Sequence, residues 1–389
     1  MTGGSETSEA GEASSAPARA GTSGAGQLVL LPGDRFAAEW WLARQTVSGD
    51  ALPYASDGVL ALWPDRRAET DRWTFGLELE FAVADAGWVA AELHALGLCA
   101  TPEPVPYHSP RPEGRWAVEQ DRSVSTIFDA PDGGPPIVVG GEVVSPPLRD
   151  TPETWAQLAA VLDVLRRCGA EVNRSCGLHV HFGTDALRPV QGSPRDLLFS
   201  LSRLAVLASV CFEDLVFRMA SAEGGQHRGQ DVFYRHCRPL ERPLQPAYET
   251  VSDLAGALGL EGAARRAALN LTNVGDPQKD TVEFRQSNGT LDGRVIQAFT
   301  RLCAALIGAA RWAPEAALLP PSPLGVHWAR GQLAQSDDAR AAIDADAQPL
   351  WDFLGAAFPQ GLPLEAAGSL IWLYRRGAWQ PGLADLSAR

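Results

Sequence analysis

Trp73-Thr74-Phe75-Gly76-Leu77-Glu78-Leu79-Glu80-Phe81-Ala82-Val83 alternates in a period of two. Phe75, Leu77, Leu79 and Phe81 fall on one side, and Gly76, Glu78 and Glu80 on the other. Residues i and i+2 of a strand point to the same face, so the stretch predicts a half-buried strand. Three further stretches have the same character: Gly141-Glu142-Val143, His179-Val180-His181 and Glu283-Phe284-Arg285. Each can aim charged or ligating side chains into one cavity while its neighbours pack elsewhere. Carboxylates and imidazoles converging from several strands suit a site for divalent cations and the anions they hold.

The elements around these strands follow from local signals. Gly87 to Gly97 predicts a short helix, and Trp116 to Phe128 a strand pair around the turn Gln120-Asp121-Arg122-Ser123. Ile137 to Ser145 reads as one strand, stopped by Pro146-Pro147. Thr151 can cap a helix that begins at Pro152, carries the stripe Trp155, Leu158, Leu162 and Leu165, and stops at Gly169. Gly177 to Gly183 is a strand, and Pro194 to Met219 a long, mostly apolar helix. Asn270 to Val274 and Thr281 to Ser287 read as strands joined by Gly275-Asp276-Pro277, followed by a buried helix from Val295 to Trp312. Crossovers alternate with hairpins, which predicts an α+β fold with a mostly antiparallel sheet. Residues 1–27 hold no large apolar side chain after Met1 and are expected to be a disordered tail. Residues 28–389 read as one domain, with 314–389 a helical extension.

Composition narrows the function classes. The 389 residues are 45% hydrophobic and 21% charged, ordinary for a globular protein. The net charge of −14, from 33 basic and 47 acidic residues, argues against a nucleic-acid partner, which needs a basic footprint. Lys279 is the only lysine, so an anion anchor here is expected to be arginine, with its planar fork of donors. No apolar run reaches the roughly 18 residues of a membrane span. The six cysteines show no CxxC pair, and the N-terminus lacks a basic start followed by an apolar core. A cytoplasmic protein is expected.

The residues that could carry chemistry each admit two readings. Glu78 and Glu80 fit a solvated strand face, or a concave one on which two adjacent carboxylates need cations between them. Glu142, within Val138-Val139-Gly140-Gly141-Glu142-Val143-Val144, is either interior with a partner or the tip of a hairpin. His179 and His181, bounded by Gly177 and Gly183, are metal ligands or satisfied core residues; Cys176 beside them raises zinc, though the nearby candidates are mostly glutamates. Glu283 and Arg285 make either a salt bridge or a metal ligand beside a phosphate grip. The loop from Glu223 to Pro243 brings Arg228, Arg235, His227 and His236, a solvated loop or one that closes over an anion. There is no GxxxxGK[ST] and no GxGxxG opening a helix, so any nucleotide phosphates must be held by metals and arginines.

Taken in order, these motifs resemble the amidoligase family. They run Gly76-Leu77-Glu78-Leu79-Glu80, Asp121-Arg122-Ser123, Glu142-Val143-Val144-Ser145-Pro146, Cys176-Gly177-Leu178-His179-Val180-His181-Phe182-Gly183, and Val282-Glu283-Phe284-Arg285 with Gly289-Thr290-Leu291-Asp292. The family belongs to the carboxylate–amine ligases related to glutamine synthetase and glutamate–cysteine ligase. The resemblance spans about Trp73 to Trp312, with Arg122 standing where the family has a glycine. It implies a glutamine-synthetase-like antiparallel sheet curved into a half-barrel, with helices packed on its outer face. It implies ATP with Mg²⁺ or Mn²⁺ as cofactors, and a small-molecule or peptide carboxylate and an amine donor as partners. Glu78, Glu80, Glu142 and Glu283 would be metal ligands together with the His179/His181 pair. Arg285, His181 and Glu283 would take part in the chemistry. Arg285, Glu142 and His181 would meet the nucleotide, with Arg228 added from the loop. Relatives of this fold often assemble, so a homo-oligomer is consistent with the resemblance. Two other enzyme classes compete: a metal-dependent amidohydrolase, whose sites also open on HxH, and a guanidino-kinase-like phosphotransferase on the same fold.

Overall fold

The strand read from Trp73 to Val83 forms over Phe75–Phe81 (β3) and lies inside an open sheet of six antiparallel strands. A computed structural model describes residues 21–22, 28–30, 54–107, 114–121, 123–124, 126–128, 137–173, 175–189, 192–221, 248–257, 267–314 and 348–377. The strand order is β4 (Ala117–Glu119), β7 (Gly141–Val144), β3, β8 (Gly177–Gly183), β10 (Thr281–Asn288) and β9 (Leu269–Asn270). Mixed α and β with an antiparallel sheet is therefore what the chain adopts.

Alternation decides what each sheet face meets. Leu77, Leu79, Val143, Leu178, Val180, Phe182, Val282 and Phe284 enter the main hydrophobic core. The ring of Phe75 stacks on Trp155 at 5.4 Å. Trp155 comes from α3 (Pro152–Arg167), whose N-cap Thr151 accepts from the Thr154 amide and whose end is marked by Gly169 at φ +75°. The longest helix, α7 (Gly293–Trp312), is buried on almost every side, from Val295 to Ala310. It takes the place that an amphipathic surface helix would not fill. Helices α1 (Arg67–Thr70) and α2 (Ala86–Ala95) come early in the fold; α4 (Pro194–Val206), α5 (Glu213–Ala220) and α6 (Val251–Ala257) lie between β8 and β9.

The two last described helices, α8 (Gln348–Ala357) and α9 (Leu364–Arg376), join the same core rather than standing apart. Phe358 stacks on Trp63 at 5.0 Å, and Arg301 of α7 pairs with Glu365 at 3.1 Å. Gly21–Thr22 (β1), part of the segment expected to be a tail, pairs with Leu28–Leu30 (β2), which pairs in turn with Leu362–Pro363 (β11).

Several sequence expectations are corrected. Residues 116–128 do not form a hairpin: β4 pairs with β7, while Thr126–Phe128 (β5) pairs with Ile137–Val139 (β6). The single strand from Ile137 to Ser145 is two strands, because Gly140 turns at φ +108° and its amide goes to the Ala84 carbonyl at 2.8 Å. The long helix from Pro194 breaks at a π-helical segment, Leu207–Cys211, where the Phe212 amide reaches back to the Leu207 carbonyl at 2.9 Å. The strand expected over Asn270 to Val274 stops at Asn270, whose side chain accepts from the Thr272 amide at 3.0 Å and turns the chain. The half-buried strand β3 is buried on both faces.

Candidate active site

The sheet register aligns the polar side chains into rows. Glu119, Glu142 and Glu80 face one another across β4, β7 and β3. Glu78 lies opposite His179 across β3 and β8. His181 lies opposite Gly76 on one side and Glu283 on the other, and Glu283 opposite Asn270. Directly paired residues share a face, so one face of the sheet carries all of these groups. Glu78, Glu80, Glu119, Asp121, Glu142 and Glu283 are all 8% exposed or less. The solvated-face reading of Glu78 and Glu80 is thereby excluded, and Glu142 lies inside a strand rather than at a hairpin tip.

The contacts are dense around Glu78. Its Oε2 is 3.0 Å from His179 Nδ1, and its Oε1 is 3.2 Å from His181 Nε2. His179 Nε2 lies 3.6 Å from Glu80 Oε1, and Glu80 Oε2 accepts the Gly177 amide at 2.5 Å. Glu283 is held by three elements. Asn270 Nδ2 donates to its Oε2 at 2.6 Å, Arg285 Nη1 donates to its Oε1, and both histidines approach that oxygen, at 3.7 and 3.9 Å.

Arg285 reaches this position through a bulge. Phe284 pairs with Val180 but Ser287 with Leu178, so Arg285 and Gln286 together oppose one residue of β8. An extra residue re-aims a side chain out of strict alternation. The Arg285 amide is anchored to the Ala268 carbonyl at 2.9 Å. Gly141 has a steric reason: a Cβ there would lie 2.6 Å from the Glu119 carbonyl oxygen, so β4 and β7 could not approach as they do.

Charge is divided unevenly across the face. For Glu78, burial raises the carboxyl's proton affinity, but the His181 charge and hydrogen bonds from both histidines prevail and hold it well below the usual carboxylate range. For Glu283, burial acts upward and Arg285 and His181 bring it down. Burial lowers His181 while Glu78 and Glu283 raise it, with a net rise. Glu142 goes the other way: burial, then the charges of Glu78, Glu80, Glu119 and Asp121, push its carboxyl well above the ordinary range.

Two overlapping groups offer one ligand atom per residue, with those atoms within 4.8 Å of one another. They are Glu78, Glu142 and His179, and Glu78, His181 and Glu283. Glu78 belongs to both. The donor set is carboxylate-rich with two imidazoles, which suits hard divalent cations such as Mg²⁺ or Mn²⁺. The buried Glu142, surrounded by like charge, is the group such a cation would relieve. Cys176 belongs to neither group; its thiol approaches Asn173 Oδ1 at 3.5 Å.

The structure thus brings together Glu78, Glu80, Glu142, His179, His181, Glu283 and Arg285. Arg228, with Arg235, His227 and His236, lies outside the described residues. Glu119, Asn270 and Tyr107 were missed by sequence reasoning. Glu119 and Asp121 do repeat the i, i+2 spacing of Glu78 and Glu80, a signal that was present. Tyr107 has no local signal. Val105 bridges Glu119 in parallel register, which carries the chain on toward Asp121. Burial, then the charges of Asp121, Glu142 and Glu78, push the Tyr107 phenol above its ordinary range.

Residues 71–206 match the model of the family described as "Putative amidoligase enzyme". This segment is similar to the amidoligases, and the similarity suggests a ligase-type enzyme. The match contains Glu78, Glu80, Glu142, His179 and His181, and ends before Glu283 and Arg285, which the fold adds from β10. No curated protein matches the chain. Among the described residues no helix is long and apolar enough to cross a membrane.

Proposed function

We propose that the protein is an ATP-dependent carboxylate–amine ligase that forms an amide through an acyl phosphate, on the glutamine-synthetase-like fold that its motifs resemble. The observation that carries this reading is the buried row of Glu78, His179, His181 and Glu283, with Arg285 bulged against its end. A carboxylate is a poor electrophile, because its charge is delocalised and oxide is a bad leaving group. In the proposed reaction a carboxylate oxygen attacks the γ-phosphorus of ATP, the bond from that phosphorus to the β-γ bridging oxygen breaks, and ADP leaves. An amine nitrogen then attacks the acyl carbon, the carbon–oxygen bond to phosphate breaks, and inorganic phosphate and one proton are released.

Glu78, Glu142 and His179, and Glu78, His181 and Glu283, would hold Mg²⁺ or Mn²⁺. Such ions would neutralise charge on the phosphate oxygens. The chain's own groups do the rest. Asn270 fixes the Glu283 carboxylate, and the Gly177 amide fixes Glu80. Arg285, already directed by Glu283, can offer donors to a transferring phosphoryl group without reorganising. The partners would be a small-molecule or peptide acid and an amine.

The test is phosphate and ADP release with Mg²⁺-ATP against a panel of acids and amines, comparing wild type with Glu283→Ala. Release that requires both an acid and an amine, and is lost in the variant, is expected. A stable phosphorylated product without amine, or amide hydrolysis without nucleotide, would overturn the reading.

A further inference from the structure

The two histidines of β8 share a face but not their surroundings. His179 meets carboxylates at both ring nitrogens, with Nδ1 3.0 Å from Glu78 Oε2 and Nε2 3.6 Å from Glu80 Oε1. His181 meets them at one nitrogen: its Nε2 lies 3.2 Å from Glu78 Oε1 and 3.9 Å from Glu283 Oε1. Its Nδ1 meets a neutral group instead, the Thr281 hydroxyl, at 3.4 Å.

The strand register makes this contact. Thr281 pairs with Gly183 and Glu283 with His181, so Thr281 and His181 are diagonal neighbours on one face. Gly183, and Gly76 across β3, present no side chain beside the ring, which leaves Thr281 as its neighbour on that side. The backbone at Thr281 is itself tied down. The preceding Asp280 accepts the Gly275 amide through Oδ1 at 2.8 Å and the Thr184 hydroxyl through Oδ2 at 2.6 Å. The Thr184 amide donates to the Asp280 carbonyl at 2.9 Å. A β-branched side chain has few χ1 choices, so a fixed backbone here restricts the hydroxyl as well.

A neutral imidazole carries one N–H and one lone pair, and the partner of the N–H decides which nitrogen keeps the lone pair. At His181 the lone pair is useful to a cation at Nε2, which faces Glu78 and Glu283, the carboxylates grouped with it as one set of potential ligands. The proton on Nδ1 then needs an acceptor, and the Thr281 oxygen supplies one. Thr281 is half-buried, so its own hydroxyl proton can go to solvent.

We propose that Thr281 is a positioning residue for His181. Its hydroxyl accepts the Nδ1 proton and so presents the Nε2 lone pair, beside Glu78 and Glu283, to a divalent cation. This inference rests on the cation-dependent reading above and adds which nitrogen binds and what orients it. Outer partners of this kind are worth about 10- to 100-fold in metal affinity.

The test uses the full chain and Mn²⁺, with binding read by electron paramagnetic resonance. Thr281→Val keeps the shape and removes the hydroxyl, and is expected to weaken Mn²⁺ binding by about 10- to 100-fold. Thr281→Ser keeps the oxygen and is expected to restore most of that loss. A second measurement leaves Thr281 untouched, so it decides the matter even where Thr281→Val fails to fold. With ¹⁵N-labelled histidine and Mg²⁺, the His181 signals, identified by their loss in His181→Gln, should show a protonated Nδ1 and an unprotonated Nε2. Equal Mn²⁺ affinity in wild type and Thr281→Val, no recovery with serine, or a proton on Nε2 in the Mg²⁺-loaded protein would overturn the Thr281 assignment and leave the cation site standing. No saturable Mn²⁺ binding in wild type would overturn the cation reading and the assignment together.

Discussion

The two halves of the polar sheet face contain the same residue type and treat it in opposite ways. On the β3, β8 and β10 side, Glu78 and Glu283 sit against His179, His181 and Arg285 and are held ionised. On the β7 and β4 side, Glu142 faces Glu80 and Glu119 with Asp121 nearby, and its carboxyl is driven toward the neutral form. One half compensates its own charge. The other is a buried set of like charges, which is costly unless something cationic is added. Glu78 links the halves, since it contacts both histidines and shares a candidate ligand group with Glu142. A face arranged this way costs stability as it stands, and in the proposed reading cations would offset that cost.

The strongest challenge to this comparison is Glu78→Gln. It removes the residue common to both ligand groups, and ATP-dependent turnover is expected to fall by at least about 10²- to 10³-fold, measured as kcat with saturating Mg²⁺. Arg285→Gln is expected to lower kcat by about 10²-fold while leaving Mn²⁺ binding intact, because the guanidinium acts on the anion and not on the cation.

Glu142→Gln should separate the halves. Without divalent cations, and at a pH high enough to ionise Glu142, it removes a buried like charge, so thermal unfolding should move upward, by on the order of 1 kcal/mol. With cations present the same change should weaken their binding. A pH series sharpens this. In the metal-free protein Glu142 is raised, so the folded state keeps its proton after the unfolded chain has lost it. That contribution is intact below about pH 4.5 and is lost as pH rises from there. His181, also raised, adds stability below its unfolded pKa of about 6.5 that is lost as pH climbs through its folded value. Glu78 and Glu283, both lowered, act in the opposite sense and below about pH 4.5. Metal-free wild type should therefore lose stability on going up from mildly acidic pH, and Glu142→Gln should flatten that slope. A slope equal to wild type would break the comparison.

The smallest effect is a control away from the face. Asp292 caps α7 by accepting from the Arg294 amide at 2.9 Å, and it also pairs with Arg294 and with Arg376 of α9. Asp292→Ala should cost about 1 kcal/mol in denaturant unfolding and leave Mn²⁺ binding unchanged.

Sequence reasoning recovered what is local. Strict alternation placed β3 and β8, and Thr151, Pro152 and Gly169 marked α3 at both ends. Because alternation also fixes the face, the convergence of Glu78, His179, His181 and Glu283 was legible before the sheet order was known. What failed was non-local. The pairing of β4 with β7 instead of with β5 depends on distant partners, and the break at Gly140 depends on a backbone conformation that an apolar run conceals. The bulge that aims Arg285 could not be read from an unbroken strand pattern, and Asn270 became visible as a partner of Glu283 only through cross-strand register. The identification of the solvated or buried state of Glu78 and Glu80 likewise required the neighbouring strands.

The most direct measurement is Mn²⁺ binding to the full chain by electron paramagnetic resonance, comparing wild type with Glu78→Gln. Saturable binding in wild type that is lost in Glu78→Gln is the predicted result. Binding of equal strength in both proteins, or no saturable binding in wild type, would contradict a cation site built on the shared carboxylate of Glu78.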